Sequence, residues 1–254
     1  MTQSLPDSNT FYHEYYNKPA YWFRFRYDTQ FKVKSALNAL KKIKFNSEQK
    51  KIFEFGFGSG ELIFKFKNVA LIGGKEISSY AVDLATEKAK KKNLKSYFNL
   101  IREVPANYIP EIKYNLIIAS HVIEHIEDTD NFIEQITKII LPGGLLLLQF
   151  PLHEKYEDPK HYHKFTTQQI EKIMTKRKYS VEFKSENEFL YHIVEDLYWE
   201  NDIKRWNLVD NLKRIIFNIL LAPLPWFILS KVDLLYGRLF GKMPRQAIII
   251  LRKK

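Results

Sequence analysis

Short apolar segments alternate with helix-forming segments through most of this 254-residue chain. Predicted strands lie at 51–55, 69–72, 96–101, 114–120, 145–151, 180–184 and 246–251. Predicted helices lie at 28–42, 61–67 and 130–141, from a cap at Ser78 or Ser79 to residue 92, and from a cap at Thr166 to about residue 176. This alternation favours a doubly wound α/β sheet.

The last two predicted strands are separated by a long insertion, 187–245, which exceeds an ordinary connection. It contains helix-like stretches at 189–202, 208–221 and 226–240 and is rich in apolar and basic residues. We therefore predict three units: an aromatic and helical lid segment at 1–45, a core at 46–186 together with 246–254, and a helical cap at 187–245. The alternative for the first unit, which includes Tyr15, Tyr16 and Trp22, is a plain hydrophobic anchor on the sheet.

Composition excludes several chemistries. The chain has no cysteine, so it has no thiol nucleophile, iron–sulfur cluster, cysteine zinc site or disulfide scaffold. The net charge of +11 is uneven, because residues 51–163 sum to −1 whereas residues 204–254 hold 11 basic and 2 acidic side chains. The longest apolar stretch, 215–229, is broken by Asn218, Pro223 and Pro225, and residues 1–16 lack the apolar region of a secretory signal. We predict a cytoplasmic protein.

A glycine turn directly follows the first strand, in the pattern Glu54-x-Gly56-x-Gly58-x-Gly60. Glycines there permit a tight turn and let backbone N–H groups approach a ligand. Glu76 lies at the end of the second strand, where a carboxylate can accept both hydroxyls of a ribose. The turn and this acid together predict a nucleoside-type cofactor.

Four motifs resemble the class I S-adenosylmethionine-dependent methyltransferases, and most closely the ubiquinone-type and the glycan or small-molecule O-methyltransferases. They are EFGFGSG at 54–60, GKEIS at 74–78, YNLIIASHVIEHI at 114–126 and LPGGLLLLQFP at 141–151. The resemblance implies a Rossmann-like doubly wound sheet, mostly parallel with an antiparallel C-terminal strand, and S-adenosylmethionine as cofactor.

The resemblance also implies the cofactor site. Glu54 and the glycine loop would hold the methionine part of the cofactor, and Glu76 would hold the ribose. In this family the residues after the third strand flank the adenine, but here residues 102–107 lack the usual Asp. The predicted cofactor-binding residues are Glu54, Gly56, Phe57, Gly58, Gly60, Glu76, Ile77 and Ser120.

Five of the seven histidines lie between positions 121 and 163: His121, His125, His153, His161 and His163. Because the carboxyl ends of parallel strands converge, several of them can meet in one crevice. An imidazole beside an acceptor hydroxyl can act as general base at neutral pH. His161 also begins an H-x-x-x-F-T stretch that resembles a family segment at the acceptor pocket. We predict His121, His125 and His161 as catalytic; the alternative is core or capping histidines.

A metal site is the second interpretation of this region. Some ubiquinone-type enzymes bind a divalent metal near an E-x-x-E-H stretch, but here His121 replaces the first Glu. We predict no metal ligands and keep Glu124 and His125 as the alternative pair.

The class of methyl acceptor is narrowed by excluding two kinds of nucleobase methylation. The segment after the fourth strand lacks the Asn/Asp-Pro-Pro-aromatic stretch of amino-group nucleobase methylation, and carbon-5 pyrimidine methylation needs a cysteine. We predict O-methylation of a small molecule, glycan or lipid-linked precursor with a histidine as general base, with nucleic acid disfavoured. The alternatives are RNA 2′-O-methylation and a methyltransferase-like membrane-surface protein without catalysis. Residues 204–245 of the helical cap are both apolar and basic, which predicts peripheral contact with anionic membrane at the inner surface. The alternative is that this part only packs on the sheet and carries ordinary surface lysines.

Overall fold

The computed structural model of the chain describes residues 26–100, 112–156, 158, 160–195 and 208–254. The helices and strands are, in chain order, α1 (Arg26–Lys42), β1 (Lys51–Phe55), β2 (Leu71–Glu76), α2 (Ser79–Lys91), β3 (Ser96–Leu100), β4 (Tyr114–Ser120), α3 (Thr129–Ile139), β5 (Ile140–Pro151), α4 (Thr167–Lys176), β6 (Tyr179–Asn187), α5 (Leu208–Ile215), α6 (Trp226–Phe240) and β7 (Gln246–Lys253). Short 3₁₀ turns lie at Ile63–Lys65, Ile123–His125 and Phe189–Ile193, and a π-helix at Ile216–Leu221 follows α5.

The strands form one sheet in the order β3-β2-β1-β4-β5-β7-β6. Strands β1 to β5 pair in parallel, whereas β7 runs antiparallel to both β5 and β6. This confirms the predicted Rossmann-like sheet with its antiparallel C-terminal strand. The strand order reverses between β1 and β4, and their carboxyl ends border the crevice where open α/β sheets bind ligands.

Helices cover both faces of the sheet, which accounts for the continuous apolar runs in its strands. On β4, Leu116 and Ile118 pack in the same cluster as α1, while Ile117 and Ala119 pack in the cluster of α3 and α4. Side chains of a strand alternate between faces, so a strand buried on both sides has few polar positions.

Strand β2 extends to Glu76, four residues beyond the predicted 69–72, and it begins two residues later. Its glycines serve close packing rather than a turn. A Cβ at Gly73 would lie 2.7 Å from the Tyr114 hydroxyl, and one at Gly74 would lie 2.4 Å from the Phe57 ring. The facing rings therefore leave no room for side chains, and both positions of this extended strand require glycine.

Two predicted helices have different bounds. The segment 61–67 contains only the 3₁₀ turn Ile63–Lys65, because the chain must return within a few residues to begin β2. Helix α3 ends at Ile139 rather than 141, and β5 begins at once, before the predicted 145. The register between β4 and β5 shifts after the Tyr114–Ile140 pair, and Gly143 has a positive φ of 73°, so the glycine pair forms a bulge inside a strand.

The insertion folds largely as predicted where it is described. The helix predicted at 226–240 is α6, and α5 with the π-helix spans 208–221. Of the predicted stretch 189–202, the 3₁₀ turn Phe189–Ile193 is described, and residues 196–207 lie outside the described residues, as do residues 1–25 with Tyr15, Tyr16 and Trp22. Tyr27 and Phe31 of α1 pack against Phe217 and Leu229 and so join the insertion to the sheet. No helix among the described residues combines the length and the hydropathy that a membrane crossing requires.

Candidate active site

The turn after β1 places its three glycines in the left-handed region, with φ of +62° at Gly56, +52° at Gly58 and +78° at Gly60. Two of them also lack room for a side chain. A Cβ at Gly56 would lie 2.5 Å from Cγ2 of Val122, and a Cβ at Gly60 would lie 2.4 Å from the Phe64 ring. Both conformation and packing therefore require glycine in this turn.

Glu76 fixes the turn to the end of β2. Its Oε2 accepts the N–H of Gly58 at 2.7 Å, and its Oε1 accepts those of Ile77 at 2.8 Å and Ser78 at 3.3 Å. Burial raises the pKa of Glu76, and the three N–H donors oppose that rise. The predicted ribose acid therefore lies against the glycine turn, buried and bonded to it through Gly58.

Glu54 is buried beneath the same turn. Its Oε2 has no hydrogen-bond partner among the described residues. Burial, together with the negative charge of Glu76, holds the pKa of Glu54 well above its usual range, although a backbone bond from Ile63 lowers it. An unpaired buried carboxylate is costly, and it suits a cationic ligand group.

The other predicted cofactor residues have mixed surroundings. Ile77 is half-buried and Ser120 donates its hydroxyl to Oε1 of Gln149 at 2.9 Å. Phe57 is buried in a cluster with Ile63 and Ile72, and its ring lies 5.0 Å from that of Phe98. Phe57 therefore packs the floor of the turn. The predicted adenine segment 102–107 lies outside the described residues.

Three of the five clustered histidines gather around one acid, Glu124, in the 3₁₀ turn after β4. They are His121, His125 and His161. His163 lies apart, with Nε2 2.9 Å from the Glu127 carbonyl oxygen, and His153 is exposed. The structure therefore brings together the three histidines predicted as catalytic.

His121 immediately follows β4 and has a positive φ of 54°, a conformation unusual for a residue with a side chain. Its Nε2 lies 3.1 Å from Oε1 of Gln246, whose amide nitrogen donates to Ser35 and Asn187. Its Nδ1 lies 3.4 Å from a Glu124 oxygen. Both ring nitrogens face acceptors, which suits a hydrogen-bond donor better than a proton acceptor.

His125, unlike His121, is arranged as a proton acceptor. Its Nδ1 lies 3.1 Å from the Lys160 carbonyl oxygen, so Nδ1 carries the proton and Nε2 is the basic nitrogen. Burial lowers the pKa of His125, and the positive charge of His161 adds to this, against the raising effect of Glu124. His125 is therefore a neutral imidazole at neutral pH.

His161 stands edge-on to His125, with ring centroids 4.6 Å apart. Its Nδ1 lies 2.8 Å from Oε1 of Glu154. Burial lowers the pKa of His161, but the bond to Glu154 and the nearby carboxylates outweigh it and raise the pKa overall. The two rings therefore differ, one neutral and the other favouring the protonated form.

Glu124 is almost fully buried, and apart from the 3.4 Å approach of His121 Nδ1 to Oε1 its oxygens have no hydrogen-bond partner among the described residues. Burial raises the pKa of Glu124, but His121 and His125 outweigh it, so the carboxylate stays ionised. Ligand atoms of Glu124, His125 and His161 all lie within 4.8 Å of one another. The alternative metal pair thus gains His161 as a third candidate ligand.

Sequence reasoning missed the amide network behind His121. Gln149 and Gln246 are fully buried, and both amides donate to the Ser35 hydroxyl of α1, at 3.0 and 3.2 Å. The signal was present, because Gln149 interrupts the apolar run of β5 and Gln246 directly precedes the apolar run 247–251 of β7. Glu154, the partner of His161, had no such signal.

Residues 25–183 match a family described as a methyltransferase domain. The fold is similar to that of the YjhP protein of E. coli, with a TM-score of 0.56 and 14% identity, covering 92% of this chain and 100% of that one. It is also similar to phosphoethanolamine N-methyltransferase 2 of Haemonchus contortus, solved with phosphomonomethylethanolamine and S-adenosylhomocysteine, with a TM-score of 0.57, 16% identity and coverage of 95% of this chain and 60% of that one. Coclaurine N-methyltransferase, bound to N-methylheliamine and S-adenosylhomocysteine, gives a TM-score of 0.56, 16% identity and coverage of 88% and 70%. A comparison with curated proteins finds no match.

Proposed function

The chain belongs to the methyltransferase-domain family, within the class I S-adenosylmethionine-dependent methyltransferases, and we propose that it methylates a hydroxyl group of a small-molecule, glycan or lipid-linked acceptor. The observation that carries the proposal is His125, a neutral imidazole just beyond β4 whose Nδ1 is engaged by a backbone carbonyl. Such a ring has its Nε2 lone pair available to accept a proton from a hydroxyl.

The residues present fit the cofactor. Glu54 supplies a buried carboxyl group whose Oε2 has no hydrogen-bond partner among the described residues, which suits the ammonium of a methionine group. Glu76, at the end of β2, would accept ribose hydroxyls, and the glycine turn lets the backbone come close. When bound, S-adenosylmethionine supplies an electrophilic methyl group on a sulfonium.

The remaining work of the chain is positioning and proton transfer. His125 would accept the hydroxyl proton at Nε2, and the Lys160 carbonyl holds the ring in that tautomer. His121, whose two ring nitrogens face Gln246 and Glu124, would shape the acceptor site and hold the Glu124 carboxylate beside His125. Methyl transfer depends mainly on such alignment.

Matched acceptor pairs test the proposed chemistry. The full-length protein is incubated with methyl-labelled S-adenosylmethionine and with phenols against anilines, or sugars against amino sugars. We expect label in the hydroxyl member as an ether. Label confined to the amine members would contradict O-methylation but not the methyltransferase class.

Substitution of His125 tests the base. We expect His125→Asn to lower kcat by about 10²–10⁴-fold while leaving cofactor affinity unchanged. His163→Asn is the matched control, because the His163 ring lies beside Phe165 and its Nε2 faces the Glu127 carbonyl oxygen instead of the Glu124 carboxylate. Equal rates for the two variants would contradict a base at His125.

A divalent metal at Glu124, His125 and His161 is a second candidate. It is favoured by Oε2 of Glu124, which has no hydrogen-bond partner among the described residues. It is also favoured by the acceptors at the Nδ1 atoms of His125 and His161, because metal-ligating histidines are commonly oriented in this way. Calorimetry with Mg²⁺, Mn²⁺ and Zn²⁺ would then show binding that Glu124→Gln and His161→Asn abolish and His163→Asn retains. A metal held there would occupy His125, so the base and metal proposals exclude each other.

A further inference from the structure

The helical hairpin formed by α5, the π-helix and α6 carries nearly all the exposed apolar surface of the described residues. Apart from Tyr162, every exposed large hydrophobic side chain lies between positions 208 and 243. Leu208 and Leu239 are 85% and 69% exposed. Soluble proteins rarely leave so large an apolar face to water, and such a face marks an interaction site.

Helix α6 shows how this face is organised. A narrow stripe of Leu229, Asp233 and Gly237, spaced four apart, is buried against the protein. A second, exposed face carries an apolar stripe at Ile228, Val232, Leu235 and Leu239, at the i, i+4, i+7, i+11 spacing of one helix face. Beside it runs a second stripe, in which Phe227 and Leu234 alternate with the exposed cations Lys231 and Arg238.

The charges of the hairpin have one sign on its outer side. Lys231, Arg238 and Lys242 are exposed. Of the two acids in the same stretch, Asp233 is buried and accepts the N–H groups of Glu188 and Leu190. Asp210 is half-buried and lies 4.0 Å from Lys213. The surface is therefore apolar and cationic together.

We propose that this hairpin docks in the plane of an anionic lipid bilayer, with the Ile228–Leu239 stripe in the interface and Lys231 and Arg238 reaching lipid phosphates. Long cationic side chains lie along apolar surface while their charges stay in the headgroup layer. A second copy of the chain is a poorer occupant, because a twofold interface would bring the same cations together. A membrane binds such cations favourably instead.

The buried side of α6 is fixed to the rest of the chain through Asp233, whose carboxylate accepts the N–H groups of Glu188 and Leu190 just after β6. The proposed docking uses the other faces of the helix. The docking itself goes beyond the proposed function and needs no methyl transfer.

Vesicle co-sedimentation of the full-length protein tests the proposal. The lipids are phosphatidylcholine alone and mixtures with phosphatidylglycerol. We expect binding to the mixed vesicles that weakens as salt is raised. Lys231→Glu with Arg238→Glu should reduce it at least about tenfold, and Leu235→Ser with Leu239→Ser should do the same. Lys90→Glu with Lys172→Glu, two exposed lysines on α2 and α4, matches the charge change and should bind as wild type does.

Several outcomes would overturn the proposal. Absence of wild-type binding would mean that the face is covered in another way, for example by residues 1–25. Loss with the charge variant but not with the serine variant would mean surface attraction without insertion. A dimer in sedimentation velocity that the serine variant dissociates, without vesicle binding, would assign the face to a second copy. Because the readout is sedimentation, its failure is distinct from a failure to methylate.

Discussion

Alanine at Gly56 tests whether the turn after β1 needs glycine for packing as well as for conformation. At φ +62° an alanine costs about 1–2 kcal/mol from the left-handed backbone. Its Cβ would also lie 2.5 Å from Cγ2 of Val122, and overpacking of this kind costs roughly 1–3 kcal/mol. We expect Gly56→Ala to lower the free energy of unfolding by about 2–5 kcal/mol in total.

Gly143 provides the matched control. It has a similar φ of +73°, but no atom lies within 4 Å of the position of its Cβ. Gly143→Ala should therefore cost only the backbone part, about 1–2 kcal/mol, in urea unfolding. Adding Val122→Ala to Gly56→Ala should recover part of the excess as a favourable coupling of about 1–3 kcal/mol. Equal losses at Gly56 and Gly143 would refute the packing argument.

Three further predictions concern protons and charge. Burial and the charge of Glu76 raise the pKa of Glu54, so binding of a cationic cofactor should release a proton from Glu54. Calorimetry in buffers of different ionisation enthalpy should detect this proton release, and Glu54→Gln should abolish it. The positive charge of His161 lowers the pKa of His125, so His161→Asn should raise the pKa of His125. The low-pH side of a plot of methylation rate against pH should then move to higher pH. A low-pH side that does not move would argue against His125 as base. Burial raises the pKa of Asp233 to about 6, so the folded state binds the Asp233 proton more tightly than the unfolded state does. Urea unfolding should therefore show the free energy of unfolding falling by about 2–3 kcal/mol between pH 4 and 6.5 from this group. Asp233→Asn should remove this pH dependence.

The sheet could be predicted because its strands are buried on both faces. The run at 114–120 became β4 without a shift, and its neighbours followed from the same apolar pattern. The sequence does not reveal whether a glycine serves a turn or close packing. Gly73 and Gly74 suggested the end of a strand, but they lie inside β2, where the facing Tyr114 and Phe57 side chains leave room only for glycine. That contact depends on the fold, so local pattern cannot anticipate it.

The candidate site was predictable where a strand end fixes a residue. Glu54 and Glu76 follow from their positions on β1 and β2, and His121 and His125 from the end of β4. The separate roles of the histidines were not predictable, because they depend on partners far along the chain. Gln246 lies 125 residues from His121, and Lys160 lies 35 residues from His125.

Calorimetric titration of the full-length protein with S-adenosylmethionine measures whether the chain binds this cofactor at the glycine turn. We expect one binding site per chain. We also expect at least roughly tenfold weaker binding by Glu76→Gln, because removing a charge from a charge-assisted hydrogen bond costs about 1.5–3 kcal/mol. Glu87→Gln, on the exposed side of α2, should bind as wild type does. No binding by the wild type, or equal affinity of the Glu76 and Glu87 variants, would contradict the account.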